Sequence, residues 1–381
     1  MKLTGAMLLG TVLLMFSWTS AAAADLDRLP ILVGVEDDIV DFPDQQPFVE
    51  DGSTYVPVRF FTDAMDVSLQ WEPEDQRVTL TKEGTTLVLN AEYGLVRYGD
   101  GTIIEADIPI VENRTMLPYR LIAEAFDYQV GYSSTGPTAH VYTDDFSGGT
   151  SAFVAMHEEE VLAFADAREA WIEEQREAAM PPAYLTFDDG PNEYTEPILD
   201  ILASHDVEAT FFTLRGNMYE HPDTMRRIVR EGHTGACHGI THDRDRFYAS
   251  PEAAVGEMDS CYTVMSQITG RTNDAVRTPY GSSPHMTDAH HEAMLEAGYD
   301  IWDWTVDSRD WAADSADDVV DRVRSQLIQA ERRGETPIVL LHDLEVTVEA
   351  LPDILALIDD RGYRFEPITD DLEPYNFLTN R

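Results

Sequence analysis

The sequence predicts an α/β protein with two folded parts. The C-terminal part is a domain of repeated strand–helix units around a parallel sheet or barrel. The N-terminal part is a smaller α+β module with an internal two-fold repeat. Two observations carry this. From Pro182 onward, short apolar runs alternate with amphipathic segments, and over the N-terminal third a strand–helix–strand pattern returns 61 residues on. A third observation bounds what the surface can bind: 71 Asp plus Glu stand against 26 Lys plus Arg, a formal charge of −45.

In chain order, residues 1–24 place Lys2 ahead of an apolar run from about Ala6 to Trp18, closed by Ala22, Ala23 and Ala24. That is the layout of a secretory signal peptide cleaved after Ala24, and it predicts a secreted protein. The run is shorter than the ~20 residues of a membrane span, which leaves an uncleaved anchor as the alternative. Residues 31–145 hold the repeat. Thr54-Tyr55-Val56-Pro57-Val58-Arg59, with Ala64, Asp66 and Trp71, is answered by Thr115-Met116-Leu117-Pro118-Tyr119-Arg120, with Ala125, Asp127 and Tyr132. Each copy predicts a strand ending at the proline, a helix over 58–65 or 119–126, and a strand of alternating apolar positions.

This module resembles the N-terminal domain of copper amine oxidases, which occurs on secreted proteins of Gram-positive bacteria. The segment reads as a packed α+β accessory or wall-attachment domain. Copper itself is poorly supported, because 31–145 contains one histidine, His140, and no cysteine. A Gly148-Gly149 hinge then opens residues 148–180. Phe153, Val161, Phe164, Ala167 and Trp171 recur there at helical spacing until Pro181-Pro182 ends the pattern. It predicts one connecting helix that packs on one neighbour.

In the last part, 181–370, the apolar runs are 183–187, 209–214, Val276, 301–304, 338–341 and 363–365. The amphipathic segments between them are 195–205, 222–231, 251–270, 316–331 and 348–361. In such folds the reactive groups sit at the C-terminal ends of strands, and the polar signals fall there. Thr186-Phe187-Asp188-Asp189-Gly190-Pro191 puts two carboxylates at the end of an apolar strand. That is costly unless they hold a cation or one acts as a base. His238-Gly239-Ile240-Thr241-His242 has the i, i+4 spacing that places two imidazoles on one helical face, a familiar zinc chelate. Arg277-Thr278-Pro279-Tyr280-Gly281, Asp307-Ser308-Arg309-Asp310-Trp311 and Leu340-Leu341-His342-Asp343 complete the set.

Five motifs in this order resemble those of the carbohydrate esterase family 4 polysaccharide deacetylases, the NodB homology domain. The resemblance implies a distorted (β/α) barrel of seven or eight strands that hydrolyses acetyl groups from a sugar polymer. It implies that Asp189, His238 and His242 bind one divalent metal, with zinc favoured and cobalt or nickel also suited. Asp188 would be the general base toward water, and His342 the general acid toward the leaving amine. Arg277 would hold Asp188 ionised and oriented. Asp310 would pair with His342, with Asp307 the weaker candidate. The Tyr280 backbone N–H would donate to the oxyanion, and Trp311 and Leu340 would shape a slot for the acetyl methyl.

Two departures from the family pattern stand close to the metal ligands. Gly239 occupies a place where Ser or Thr is common, so a supporting hydrogen bond near the metal is expected to be missing. Cys237 replaces a common Asn; we read it as inert, with pairing to Cys261 or disturbance of the metal site left open. Thr278 in place of a frequent Pro should matter little. His205, His221, His233, His290 and His291 read as structural or solvent-exposed. His285 has the same reading, with a place along the sugar groove as its alternative.

The charge excludes nucleic acid, whose phosphates are held by Lys and Arg clusters, and argues against docking on anionic lipid. Among the 26 bases only Lys2 and Lys82 are lysine. Carboxylate excess with almost no lysine fits a surface adapted to strong brine. The resulting expectation is a monomeric, secreted, metal-dependent N-deacetylase of peptidoglycan N-acetylglucosamine. The complete Asp-Asp-Gly-Pro motif resembles glucosamine-directed family members. Chitin oligosaccharide or acetylxylan are the alternative substrates, and a non-catalytic glycan-binding wall protein is the remote one.

Overall fold

Strand β1 (Pro182–Asp188) shows how a simple alternation builds the C-terminal fold. Ala183, Leu185 and Phe187 join the outer core beneath the helices, whereas Tyr184 joins an inner cluster with Phe212, Ala236, Trp302 and Ile338. Successive strand side chains point to opposite faces, so Thr186 and Asp188 share the inner face with Tyr184. The computed structural model describes residues 26–379. The segment 1–24, read as an export signal, lies outside the described residues.

After β1 the chain runs through α1 (Thr195–Ser204), β2 (Thr210–Thr213), α2 (Arg215–Glu220), α3 (Pro222–Arg230) and β3 (Thr234–Cys237). It continues with α4 (Arg244–Phe247), α5 (Pro251–Thr269), β4 (Ala275–Val276), α6 (Asp288–Glu296), β5 (Asp300–Ile301) and β6 (Val306–Asp307). Last come α7 (Ala316–Arg333), β7 (Ile338–His342), α8 (Glu345–Asp359) and β8 (Arg364–Phe365). The strands pair in the order β5-β4-β3-β2-β1-β7-β6, with β8 also on β1, and every pairing among them is parallel. The ends β5 and β6 do not pair, so the barrel is open: the expected distorted (β/α) barrel.

Local chemistry sets the helix limits. Ser250 accepts from Ala253 N–H ahead of Pro251 to start α5, and Ser315 caps α7 through Asp318 N–H. Gly270 and Gly334 close the same two helices in the left-handed conformation.

The chain divides into two units that meet at Ala179 and Met180. In the N-terminal unit, Ser53–Pro57 and Arg114–Pro118 pair antiparallel, with Val56 opposite Leu117. Each is followed by a seven-residue helix, Val58–Ala64 or Tyr119–Ala125. The next strands diverge. Ser68–Glu72 edges a five-stranded antiparallel meander, while Gln129–Ser133 joins a sheet with Leu32–Val35. Val56, Phe61, Leu80, Leu87, Leu117 and Ile122 are fully buried in the module core. His140 is also buried, donating from Nε2 to Glu36 C=O (2.7 Å).

The single helix expected over 151–180 is two, Gly149–Met156 and Glu158–Ala179. Phe153, Val161 and Phe164 bury against Leu32 of the module. The break at His157 lets both pieces keep their apolar residues on that face.

Candidate active site

Segments at the C-terminal ends of six strands surround a cavity of about 500 Å³. The parallel register puts Asp188 of β1 opposite His342 of β7, both on the inner face. Asp188, Asp189, His238, His242, Tyr280, Trp311, Leu340 and His342 line the cavity. Arg277 and Asp310 stand behind it, 0% and 2% exposed. The ten side chains singled out in the sequence therefore meet in one place.

Asp189 Oδ1 lies 3.7 Å from His238 Nε2 and 3.6 Å from His242 Nε2. Ligands held at about 2.0–2.1 Å around a tetrahedral cation would stand about 3.3 Å apart, so the group is close to ligating geometry. The donor set fits a cation in three further ways. Asp189 Oδ1 is buried without a hydrogen-bond partner. His238 Nδ1 donates to Arg277 C=O (2.6 Å), which leaves the Nε2 lone pair facing the cavity. Burial, and then the neighbouring His238, pull the His242 pKa down, which favours the neutral, ligating ring. Asp189, His238 and His242 are also the one group of such ligands found among the described residues.

The two histidines do not share a helical face, contrary to the sequence expectation. Residues 238–243 form a loop between β3 and α4. Gly239 (φ 100°) and His242 (φ 44°) are left-handed, and a helix cannot pass through them. Asp189 (φ 71°) and Tyr280 (φ 68°) share this uncommon conformation. Such residues cost on the order of 1–3 kcal/mol each and persist where the surroundings fix them.

Beside these three residues, Arg277 Nη1 donates to Asp188 Oδ1 (3.0 Å). Its other donors reach Thr186 Oγ1 (2.6 Å), Trp302 C=O (2.9 Å) and Asp303 C=O (3.0 Å), and its guanidinium stacks 4.2 Å from the Phe212 ring centre. A buried charge is tolerated when paired and saturated in this way. At the end of the neighbouring strand β7, Asp310 Oδ1 accepts from His342 Nδ1 (2.7 Å). The same carboxylate takes the His342 N–H (2.6 Å), the Trp311 N–H (2.9 Å) and the Thr347 hydroxyl (2.7 Å). Burial alone would lower the His342 pKa, but Asp310, with the more distant Asp188 and Asp189, pushes it up to about 9. Burial would likewise raise the Asp310 carboxyl, and the bonds from His342 and Thr347 hold it below its ordinary value. Asp307 instead accepts from Arg309 N–H (3.0 Å).

Three features were not legible in the sequence. Asp343 is fully buried and accepts from Thr195 Oγ1, stitching the β1 loop to the end of β7. A Cβ at Gly190 would stand 2.1 Å from Asp343 Oδ2, so only glycine fits between them. Burial pushes the Asp343 carboxyl up to about 7, against the Thr195 hydrogen bond. Asp303 accepts from Ser282 N–H (2.9 Å) and Phe377 N–H (2.7 Å), tying the Tyr280 loop to the C-terminal segment. Cys237 and Cys261 form a disulfide, with Cα atoms 6.0 Å apart; Cys237 is therefore not the unpaired, inert residue expected. It lies on the outer face of β3, where α5 packs, away from the His238 ligand atom. The only sequence signal was the presence of two cysteines. His285 packs on Tyr280 and Tyr248, with ring centres 6.3 and 5.8 Å away.

Residues 175–302 match the polysaccharide deacetylase family profile, and residues 35–141 match that of the copper amine oxidase N-terminal domain. YheN of Bacillus subtilis, which carries a provisional polysaccharide deacetylase name, is 39% identical over 193 residues, 50% of this chain and 68% of its own. The peptidoglycan-N-acetylglucosamine deacetylase of Bacillus cereus is 36% identical over 200 residues, 51% of this chain and 72% of the relative. A chitooligosaccharide deacetylase of Rhizobium leguminosarum bv. trifolii is 39% identical over 205 residues, 47% and 86% respectively. With its open parallel barrel and these relatives, the chain belongs to the polysaccharide deacetylase family, a family of hydrolases.

Proposed function

We propose that this protein is a secreted N-deacetylase that uses one divalent metal, zinc for preference, to hydrolyse N-acetylglucosamine units of peptidoglycan. The observation that carries the chemistry is the convergence on one cavity of Asp188 paired with Arg277, His342 paired with Asp310, and the trio Asp189, His238 and His242. A cation held by those three residues would polarise the acetyl carbonyl and make water acidic enough to attack. Asp188 is placed to take the proton of the attacking water, with Arg277 fixing the carboxylate's orientation. The Tyr280 backbone N–H is the candidate donor to the carbonyl oxygen as negative charge grows on it. His342, kept protonated by Asp310, gives its proton to the departing amine nitrogen, which completes cleavage of the C–N bond. Trp311 and Leu340 supply apolar walls for the methyl group.

The substrate reading draws on the Bacillus cereus relative, named for peptidoglycan N-acetylglucosamine. The Rhizobium relative, named for chitooligosaccharide, supports a second reading, a chitin oligosaccharide substrate. We assign the N-terminal module to wall attachment. It has its own cavity of about 580 Å³, lined by Tyr98, Tyr119, Ser53, Arg120 and the exposed Tyr132, a mixture suited to a neutral glycan. The protein is proposed to act as a monomer in brine.

The test is acetate release from wall fragments, chitohexaose and acetylxylan, with zinc and with chelator. We expect zinc-dependent release, fastest on wall fragments, and its loss in Asp188→Asn. No release from any N-acetylated glycan, with Asp188→Asn indistinguishable from the parent, would overturn the proposal.

A further inference from the structure

Helix α5 touches the stretch bearing both ligand histidines at two points one turn apart. The first is Glu257, only 8% exposed. Its Oε2 accepts from Ile240 N–H (2.9 Å) and Thr241 N–H (3.1 Å), and its Oε1 accepts from Thr241 Oγ1 (2.8 Å). The second is Cys261, disulfide-bonded to Cys237 immediately before His238. Residues i and i+4 share a helix face, so both anchors come from the same side of α5.

We infer that Glu257 is a positioning residue for the metal site: its carboxylate fixes the loop that sets His238 and His242 at ligating distance, with the Cys237–Cys261 bond as a second anchor. The inference rests on the reading of Asp189, His238 and His242 as the metal ligands. A buried carboxylate is costly unless its acceptors are filled. Among the described residues Glu257 pairs with no Lys or Arg, and the hydrogen bonds that fill it come from the loop between the two histidines. The loop in turn lies outside any helix or strand, so Glu257 satisfies two backbone N–H groups that have no regular partner there.

Gly239 supports the same reading. Its φ is 100°, and a Cβ there would sit 3.1 Å from Glu257 Oε2. A side chain at position 239 would therefore point at Glu257, whose carboxylate occupies that side of the loop and accepts from residues 240 and 241.

The test uses the whole protein and reads zinc affinity by competition with a chromophoric chelator. The visible spectrum of the cobalt(II)-loaded protein reports ligand geometry, and thermal unfolding without metal reports the fold. Glu257→Ala should weaken zinc binding about 10–100-fold, the range found when groups supporting metal ligands are removed, and should alter the cobalt spectrum. Glu257→Gln can still accept from both N–H groups and should stay within about threefold of the parent. A Glu257→Ala protein that binds zinc like the parent with an unchanged spectrum overturns the inference. So does a Glu257→Gln protein as weak as Glu257→Ala, because charge and not hydrogen-bond geometry would then be responsible. If Glu257→Ala does not fold, Thr241→Val decides: looser binding supports the role and unchanged binding overturns it. His238→Ala is the control for the underlying reading, since undiminished zinc binding there would overturn the metal assignment, whatever Glu257 does.

Discussion

Asp310→Asn tests the acid half of the site. His342 rises to about 9 because Asp310 outweighs its burial. Asparagine carries no charge and offers an amide N–H₂ where the carboxylate accepts donors, so His342 falls to its ordinary value of about 6.5 or below. At pH 8 a group with pKa about 9 is roughly 90% protonated, and one at about 6.5 roughly 3%, so loss of the acid form alone costs about 30-fold in rate.

The acid form of His342 is present below its folded pKa, and activity falls as pH rises through it. The descending limb in Asp310→Asn should thus lie about 2.5 units or more below that of the parent. A cation in the site would lower both limbs while leaving them separated. Stability follows the same sign. The contribution of His342 is full below about 6.5 and is lost as pH rises through about 9. The assay is kcat for acetate release from N-acetylglucosamine oligomers between pH 5 and pH 10, with unfolding temperatures as the control (about 1–3 kcal/mol is expected from the mispaired donors). Coincident limbs in parent and variant would refute the reasoning, even if the rate fell.

Arg277→Leu leaves Asp188, 3% exposed, without its ion-pair partner. We expect destabilisation of about 3–5 kcal/mol in urea unfolding; a change below about 1 kcal/mol would show that the pair is not structurally coupled. Raising salt from about 0.1 M to about 1 M shortens the screening length from about 10 Å to about 3 Å, so a protein of charge −45 should gain both unfolding temperature and activity; equal values at both salts would remove the brine reading. Tyr132→Ala removes a ring that is 58% exposed at the module cavity, and should reduce pelleting with insoluble peptidoglycan severalfold. Parental pelleting would exclude that cavity as the wall contact.

The strand-end motifs were legible because each is local. A strand of period two fixes which of its residues face inward, so Asp188 beside Thr186 and His342 beside Leu340 follow from the order of residues alone. The charge balance, the module's strand–helix–strand segments and the grouping of Asp189 with the two histidines follow from the sequence in the same way. Other features depended on residues far apart in the chain. Glu257 lies 16 and 17 residues from the N–H groups it accepts, Asp343 148 residues from Thr195, and Asp303 74 residues from Phe377. No periodicity marks such partners, since a carboxylate on a helix reads as solvated until the fold buries it. The loop path between His238 and His242 and the closure of the disulfide were settled the same way. Residue order determined which groups stand at the strand ends; only the tertiary structure decided what holds them, because the hydrogen bonds that fix a buried polar group come from whatever segments the fold packs around it.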